Sequence, residues 1–245
     1  MPDPAGDPDQ PAHPEQPVHP EQPVHPVHGR RPLSLEAVLG RAIDRSVDEQ
    51  ISRYVDMLTS AGVERGLIGP REAERLWERH ILNCVVLERL IPHGAAVADV
   101  GSGAGLPGIV LALVRPDLRI TLVEPLLRRA TFLIEAIDGL GLGSAVEVIR
   151  ARAEDYRGSK FAVVTARAVA PLDRLTALAL PLLTSGGSLL AVKGRRAQDE
   201  LEEHRAALAA LGAERLEIVT LGEGILAEPT TVVVIRARVR RPVHR

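Results

Sequence analysis

What this 245-residue chain lacks narrows it first. It has one cysteine, Cys84, so it can build neither a disulfide framework nor a cysteine-ligated metal cluster. A reducing, cytoplasmic setting is the expectation from that usage, with no metal site. Aromatic residues make up only 2% of the chain, which removes the usual platform for stacking an unpaired nucleobase. Trp77 and Phe132 read as core residues instead. No apolar run is long enough to suggest a membrane span, and the N-terminus has neither the basic segment nor the apolar core of a secretory signal. Charge excess is missing too. The net charge is −2, and outside residues 1–32, which hold 5 of the 32 acids and 2 of the 30 Lys/Arg, bases and acids nearly balance. Any nucleic-acid surface must then be a local patch.

Residues 1–32 are a separate object. HPEQPV at 13–18 repeats at 19–24, proline recurs every few residues, and His13, His19, His25 and His28 punctuate the run. Such a segment buries too little apolar surface to offset its ordering entropy, so it reads as a disordered, partly polyproline-II tail. Residues 33–93 read as a helical N-terminal cap. Ser46-Val47-Asp48-Glu49 has the spacing of a capping box, followed by Ile51, Tyr54, Val55 and Leu58 at helical intervals. Pro70 suits the first turn of a further helix carrying Leu76, Trp77, Ile81, Cys84 and Val85.

From residue 94 short strands alternate with helices. Strands are expected at 96–100, 119–124, 146–151, 161–166, 188–194, 215–221 and 230–239, with helices at 105–114, 126–137, 172–183 and 198–211. Alternation of this kind implies an α/β domain over 94–245, a mostly parallel seven-stranded Rossmann-like sheet. The last two strands have no helix between them and are expected to form an antiparallel edge hairpin.

Residues 99–108, DVGSGAGLPG, lie where the first strand turns into a helix, the place where open α/β sheets bind ligands. Gly103-x-Gly105-x-x-Gly108 fits a dinucleotide fingerprint, and Glu124 ends the next strand where a ribose-binding acid is expected. Either of two adenosine cofactors would suit Glu124. Three features favour S-adenosylmethionine over NAD(P). Asp99 would repel a pyrophosphate but suits a ligand with an ammonium and a sulfonium. Pro107 removes one of the helix-terminal N–H donors that a pyrophosphate wants. Ala153-Glu154-Asp155 follows the third strand, where an acceptor can take an adenine amino group. No Lys-Ser or Lys-Thr pair follows the glycines, which excludes a P-loop.

DVGSGAGLPG, preceded by WERHILN (77–83) and followed by LVEPLLRRATFL, RARAED, TARAV and AVKG, resembles the bacterial small-subunit ribosomal RNA guanine-N7 methyltransferases, also called glucose-inhibited division protein B. The likeness covers roughly residues 45–240, and EPLLRR looks like the actinobacterial branch. It implies a class I methyltransferase fold, S-adenosylmethionine as methyl donor, and transfer to N7 of one guanine in 16S rRNA of the small ribosomal subunit. By position, it implies that Gly101 and Leu106 line the cofactor and that Gly103 and Gly105 give the backbone its path. Glu124 would hold the ribose hydroxyls, and Ala153 and Glu154 would sit at the adenine. Arg167, in TARAV, would stand in the cofactor and reaction pocket, and His80 matches the histidine of an RHILDS-type motif. This chain reads RHILNC there, so Asn83 and Cys84 depart from that pattern.

The chemistry agrees with that implication. N7 of guanine has a lone pair and no proton, so transfer needs no general base, only positioning. No Asn/Asp-Pro-Pro-aromatic motif, the grip of amino-group methyltransferases, follows the fourth strand. Arg167 is the expected positioning residue, its planar fork suited to a carboxylate or to O6 of guanine. For RNA phosphates the candidates are Arg128 and Arg129, then Lys193, Arg195 and Arg196, with Arg71, Arg75 and Arg79 on a helix and a C-terminal set from Arg236 to Arg245. A monomer is expected, since one basic face must stay free for a large substrate. An NAD(P)-dependent oxidoreductase and a non-catalytic rRNA-binding factor are the competing expectations.

Overall fold

The structure, a computed structural model, describes residues 33–167 and 169–238. The proline- and histidine-rich tail and the arginines at 240, 241 and 245 lie outside the described residues. Seven strands form one sheet: β1 (Ala96–Val100), β2 (Arg119–Val123), β3 (Val146–Ile149), β4 (Phe161–Arg167), β5 (Leu183–Lys193), β6 (Ala213–Leu221) and β7 (Thr230–Ala237). Their order is β3-β2-β1-β4-β5-β7-β6. All neighbours are parallel except β7, which runs antiparallel to both β5 and β6. The edge hairpin is therefore present, and its second strand, β7, inserts between β5 and β6.

The reversal of strand order lies between β1 and β4, so a crevice opens at their C-terminal ends. Helix α5 (Gly108–Val114) follows β1 and is buried at every residue. A helix apolar all round needs cover on its outer side, and residues 33–93 supply it. There α1 (Leu35–Leu39), α2 (Arg45–Met57), α3 (Pro70–Ala73) and α4 (Leu82–Val85) share one hydrophobic core with α5 and with α6 (Leu127–Leu140). On the opposite face α7 (Leu172–Ala179) and α8 (Ala197–Leu211) pack with Val164, Leu189 and Val233. Among the described residues no helix is long and apolar enough to cross a membrane.

Several boundaries differ from the sequence reading. Helix α2 is capped by Asp44, whose side chain accepts the Ser46 N–H, so Ser46 is not the cap. Glu49 pairs instead with Arg45 at 3.0 Å. Both side chains are good caps, and the earlier one wins because it extends the helix by two residues. The glycine run holds off α5 until Gly108 rather than Gly105. Between α3 and α4 the chain takes a wide turn over Trp77–Ile81, with the Leu82 N–H bonding the Trp77 carbonyl five residues back. That widened turn carries Arg79 and His80, and such bulges recur at functional sites.

Candidate cofactor and substrate site

The crevice at the ends of β1, β2 and β4 is a cleft of about 760 Å³. Its floor is the turn after β1. Gly101 and Gly103 have φ of +68° and +58°, values that side chains resist. A Cβ on Gly101 would lie 2.9 Å from Val169 Cγ2 across the cleft, so the backbone there passes as close as glycine allows. Gly108 serves a different end. A Cβ on it would collide with Leu122 Cδ2 and sit 2.9 Å from Asp99 Oδ2, so its bareness lets α5 rest on the sheet.

The turn is held from both sides by side chains. Glu124 is buried at the end of β2; its Oε2 accepts from the Gly103 N–H at 2.9 Å and its Oε1 from the Leu126 N–H at 3.0 Å. Each oxygen keeps a lone pair for a hydroxyl. Tyr54, fully buried on α2, donates its O–H to the Ala104 carbonyl at 2.6 Å and so ties the helical layer to the glycine turn.

Asp99 corrects an expectation. Its carboxylate does not face the cleft; it lies beneath the turn, where Oδ2 accepts from the Gly108 N–H at 3.2 Å and Oδ1 from the Thr165 hydroxyl at 2.8 Å. It anchors the start of α5 to β4 and does not line the cleft. Burial pushes this carboxyl up to about 6, against the pull of those hydrogen bonds. Gly105 also stands off the cleft. With φ of +95°, a Cβ there would press within 2.5 Å of Ile109 Cδ1 and 2.8 Å of the Tyr54 oxygen. Gly101, Gly103, Leu106, Glu124, Ala153, Glu154 and Arg167 do line the cleft together, as do His80 and Arg129.

Arg167 ends β4 and is locked by the widened turn. Its Nη2 donates to His80 Nδ1 at 2.5 Å and to the Arg79 carbonyl at 3.4 Å, and its Nη1 approaches Cys84 Sγ at 3.6 Å. Since His80 Nδ1 accepts, its Nε2 carries the proton and donates to Glu72 Oε2 at 2.9 Å. Burial, with the Arg167 charge beside it, holds the imidazole below its ordinary value, so it is neutral at pH 7. Burial likewise raises the Cys84 thiol to about 11, which keeps it protonated.

The basic candidates divide. Arg129 reaches the cleft and lies 3.9 Å from Glu124. Arg128 is exposed on α6 and Arg196 exposed at the start of α8, and neither lines the cleft. Lys193 is turned inward, its ammonium on Glu200 Oε1 at 2.8 Å and the Ala170 carbonyl at 2.9 Å. Arg75 and Arg79 both pair with Glu228 of the β6–β7 turn, at 3.2 and 3.3 Å, which uses up much of that helical face. Arg152 and Arg174 line the cleft without having been singled out in the sequence. Nothing in their spacing marks them, because Arg152 comes from the segment after β3 and Arg174 from the first turn of α7. Tyr54 was visible only as a core residue, since its hydroxyl partner lies fifty positions away.

The cleft suits an adenosine ligand. It offers a turn of mostly small residues, a ribose-level carboxylate at Glu124, and a small residue, Ala153, at the turn after β3. Solved structures share the fold. A putative S-adenosyl-L-methionine-dependent methyltransferase from Methanococcus maripaludis superposes with a TM-score of 0.55 at 13% identity, over 83% of this chain and 99% of that one. The cyclase SpnF gives 0.53 at 19% identity, over 68% and 83%. At those identities the likeness speaks for the fold alone. The fold is therefore the Rossmann-like one that class I methyltransferases share, with a cleft at its topological switch point.

Sequence relatives carry the assignment further. The profile of GidB, rRNA small subunit methyltransferase G, matches residues 47–229. The ribosomal RNA small subunit methyltransferase G of Streptomyces coelicolor is 58% identical over 183 residues, 74% of this chain and 76% of that protein. Its namesake from Mycolicibacterium vanbaalenii is 50% identical over 207 residues, 83% and 88% of the two chains. The chain belongs to the rRNA small subunit methyltransferase G family. It is a methyltransferase that uses S-adenosylmethionine, and the oxidoreductase and non-catalytic expectations fall away.

Proposed function

We propose that this rRNA methyltransferase places its methyl group on N7 of one guanine in 16S rRNA, acting in the cytoplasm, as a monomer, on the small ribosomal subunit. The observation that carries the N7 reading is the state of the groups at the end of β4. Arg167 stands there as a fixed cation, and the imidazole beside it has its lone pair occupied by that same arginine. Glu124 is engaged by two backbone N–H groups. A target that must lose a proton would want a free base at this point; N7 needs none.

S-adenosylmethionine, when bound, supplies a methyl on a sulfonium: the S–CH3 bond breaks as N7–CH3 forms, leaving a neutral thioether and a positively charged guanine ring. The chain's own part is placement. The glycine turn fixes one wall of the cleft, Glu124 takes ribose hydroxyls, and the turn at Ala153 and Glu154 borders the adenine. Arg167, braced by His80 and Cys84, borders the cleft at the end of β4, and the N–H donors it does not spend there suit O6 of the acceptor, which leaves the neighbouring N7 free. Holding the two reactants in line is worth several orders of magnitude in rate. Arg129 and the exposed Arg128, Arg195 and Arg196 remain for phosphates.

The test is methyl transfer from labelled S-adenosylmethionine to 16S rRNA, as free transcript and as small subunits. Label should enter the guanine transcript and not one made with 7-deazaguanine, where a C–H replaces N7. Equal labelling of both would refute the N7 assignment.

A further inference from the structure

Arg167 carries a charge that no neighbour cancels. Among the described residues no carboxylate pairs with it; its contacts are the His80 imidazole, the Arg79 carbonyl and the Cys84 thiol, all neutral. Nη2 has two N–H groups, and the imidazole and the carbonyl use both. One Nη1–H and the Nε–H stay unspent on the wall of the cleft. A carboxylate would grip a guanidinium more strongly, but it would cancel the charge offered to a substrate. Here the carboxylate stands one group further out.

That carboxylate is Glu72 of α3. Its Oε2 accepts from His80 Nε2 at 2.9 Å, and its Oε1 lies 3.6 Å from Arg79. Glu72 is half-exposed, whereas the His80 ring is mostly buried. A neutral imidazole has one N–H and one lone pair. An acceptor at Nε2 therefore leaves the lone pair at Nδ1, where Arg167 donates at 2.5 Å. Glu72 favours the one tautomer that can hold an arginine, as a carboxylate behind an imidazole does in metal sites and catalytic triads. The chain of contacts runs from solvent at α3, through the widened turn, to the end of β4.

We propose that Glu72 and His80 are positioning residues for methyl transfer: Glu72 sets the imidazole tautomer, and His80 Nδ1 fixes Arg167 in the reaction pocket. The inference rests on the reading above that Arg167 places the guanine. A guanidinium on a long flexible side chain, once released, samples rotamers in which its unspent donors miss O6. The clamp also gives a reaction that needs no base an acid limb. Protonation puts an N–H on Nδ1 facing the Arg167 cation, so the bond is lost and two positive charges meet. The charged groups facing the ring are Glu72 on α3, Arg79 on its own turn and Arg167 on β4. Behind Arg167 stand Cys84 on α4, Tyr54 on α2 and Asp99 on β1. Burial and the two arginines outweigh Glu72 and keep the ring neutral at pH 7. The rate should hold at neutral pH and fall on the acid side, below the ordinary histidine value near ~6.5.

The experiment compares wild type with His80→Asn, His80→Leu, Glu72→Gln and Glu72→Leu. Single-turnover methyl transfer to small subunits is followed from neutral pH into the acid range, and calorimetry with S-adenosylhomocysteine reads the cofactor cleft. H80N sets an amide oxygen where Nδ1 stood, so it keeps the acceptor but cannot titrate. It should stay within a few-fold of wild type at neutral pH and lose the acid limb; Asp99 titrates in both proteins, so the difference belongs to His80. H80L should lose roughly 10-fold in rate at neutral pH, with KM for small subunits and cofactor affinity within a few-fold. E72Q keeps an acceptor and should match wild type at neutral pH, with its acid limb moved to lower pH because no negative charge favours the protonated ring. E72L should lose several-fold, and rescue by glutamine separates tautomer control from packing. An H80L rate equal to wild type, or wild-type and H80N profiles of the same shape, overturns the inference while leaving the N7 function standing. A loss confined to KM overturns it too, since His80 would then be an RNA contact. A wild type whose product is not N7-methylguanosine overturns the function and this inference together. If H80L fails to fold, nitrogen NMR of the wild-type imidazole decides: the proton should sit on Nε2, and a proton on Nδ1 at neutral pH refutes the clamp.

Discussion

Replacing Glu124 with alanine should damage the turn and the cofactor site together. The carboxylate is almost wholly buried and accepts from the Gly103 and Leu126 N–H groups at 2.9 and 3.0 Å. A hydrogen bond to a charged acceptor contributes about 1.5–3 kcal/mol. Water entering from the cleft would recover part of two such bonds, leaving a net loss of about 2–4 kcal/mol. For a domain of this size that lowers Tm by roughly 4–16 °C. The ribose loses its acceptor as well, so affinity for S-adenosylhomocysteine should fall at least about 30-fold, or about 2 kcal/mol. Glu124→Gln keeps one acceptor but turns an amide N–H₂ toward a backbone N–H, so it should fall between the two. Differential scanning calorimetry and isothermal titration read the two effects separately. An E124A protein that binds S-adenosylhomocysteine within threefold of wild type would refute the reasoning.

Three further outcomes follow from the same geometry. Gly108→Ala forces a methyl into Leu122 and Asp99 and should cost about 1–3 kcal/mol with secondary structure retained by circular dichroism; an unchanged Tm would show that the strand and helix are not in tight contact. Burial raises Asp99 to about 6 against an ordinary carboxylate value near ~3.9, so the folded state binds the extra proton between those values. Wild-type stability should therefore rise relative to Asp99→Asn as pH falls from 7 to 4, by up to about 3 kcal/mol, and a pH-independent difference in melting curves would contradict the buried placement. Arg167→Lys cannot span His80, the Arg79 carbonyl and Cys84 with one ammonium, so kcat should drop roughly 10- to 100-fold in the labelling assay with Tm within a few degrees; a wild-type kcat would remove Arg167 from the positioning role.

The strands and the glycine turn were legible because local pattern dictates them. AVADV, RITLV and FAVVTA are buried on both faces and read as apolar runs, and only a strand-turn-helix junction wants three closely spaced glycines. What was hidden depends on partners distant in sequence. Asp99 looked like a ligand residue because its position in the turn is suggestive, yet the pleat of β1 sends its side chain beneath the turn to Thr165 of β4. Lys193 looked free because Glu200 lies on the next helix, and Arg75 and Arg79 looked like an open basic face because Glu228 is about 150 residues away. The start of β5 was missed because Gly186 and Gly187 interrupt its pattern, although the strand runs from Leu183. Asn83 was visible as a departure from a motif, but that its side-chain oxygen is buried without a partner shows only in the fold.

The most direct test of the account is nucleoside mass spectrometry of 16S rRNA after small subunits are incubated with the protein and S-adenosylmethionine carrying a deuterated methyl group. The account predicts one deuterated N7-methylguanosine per 16S molecule and no label elsewhere. Label in an N1-, N2- or ribose-methylated nucleoside, or none at all with the cofactor bound, would contradict it.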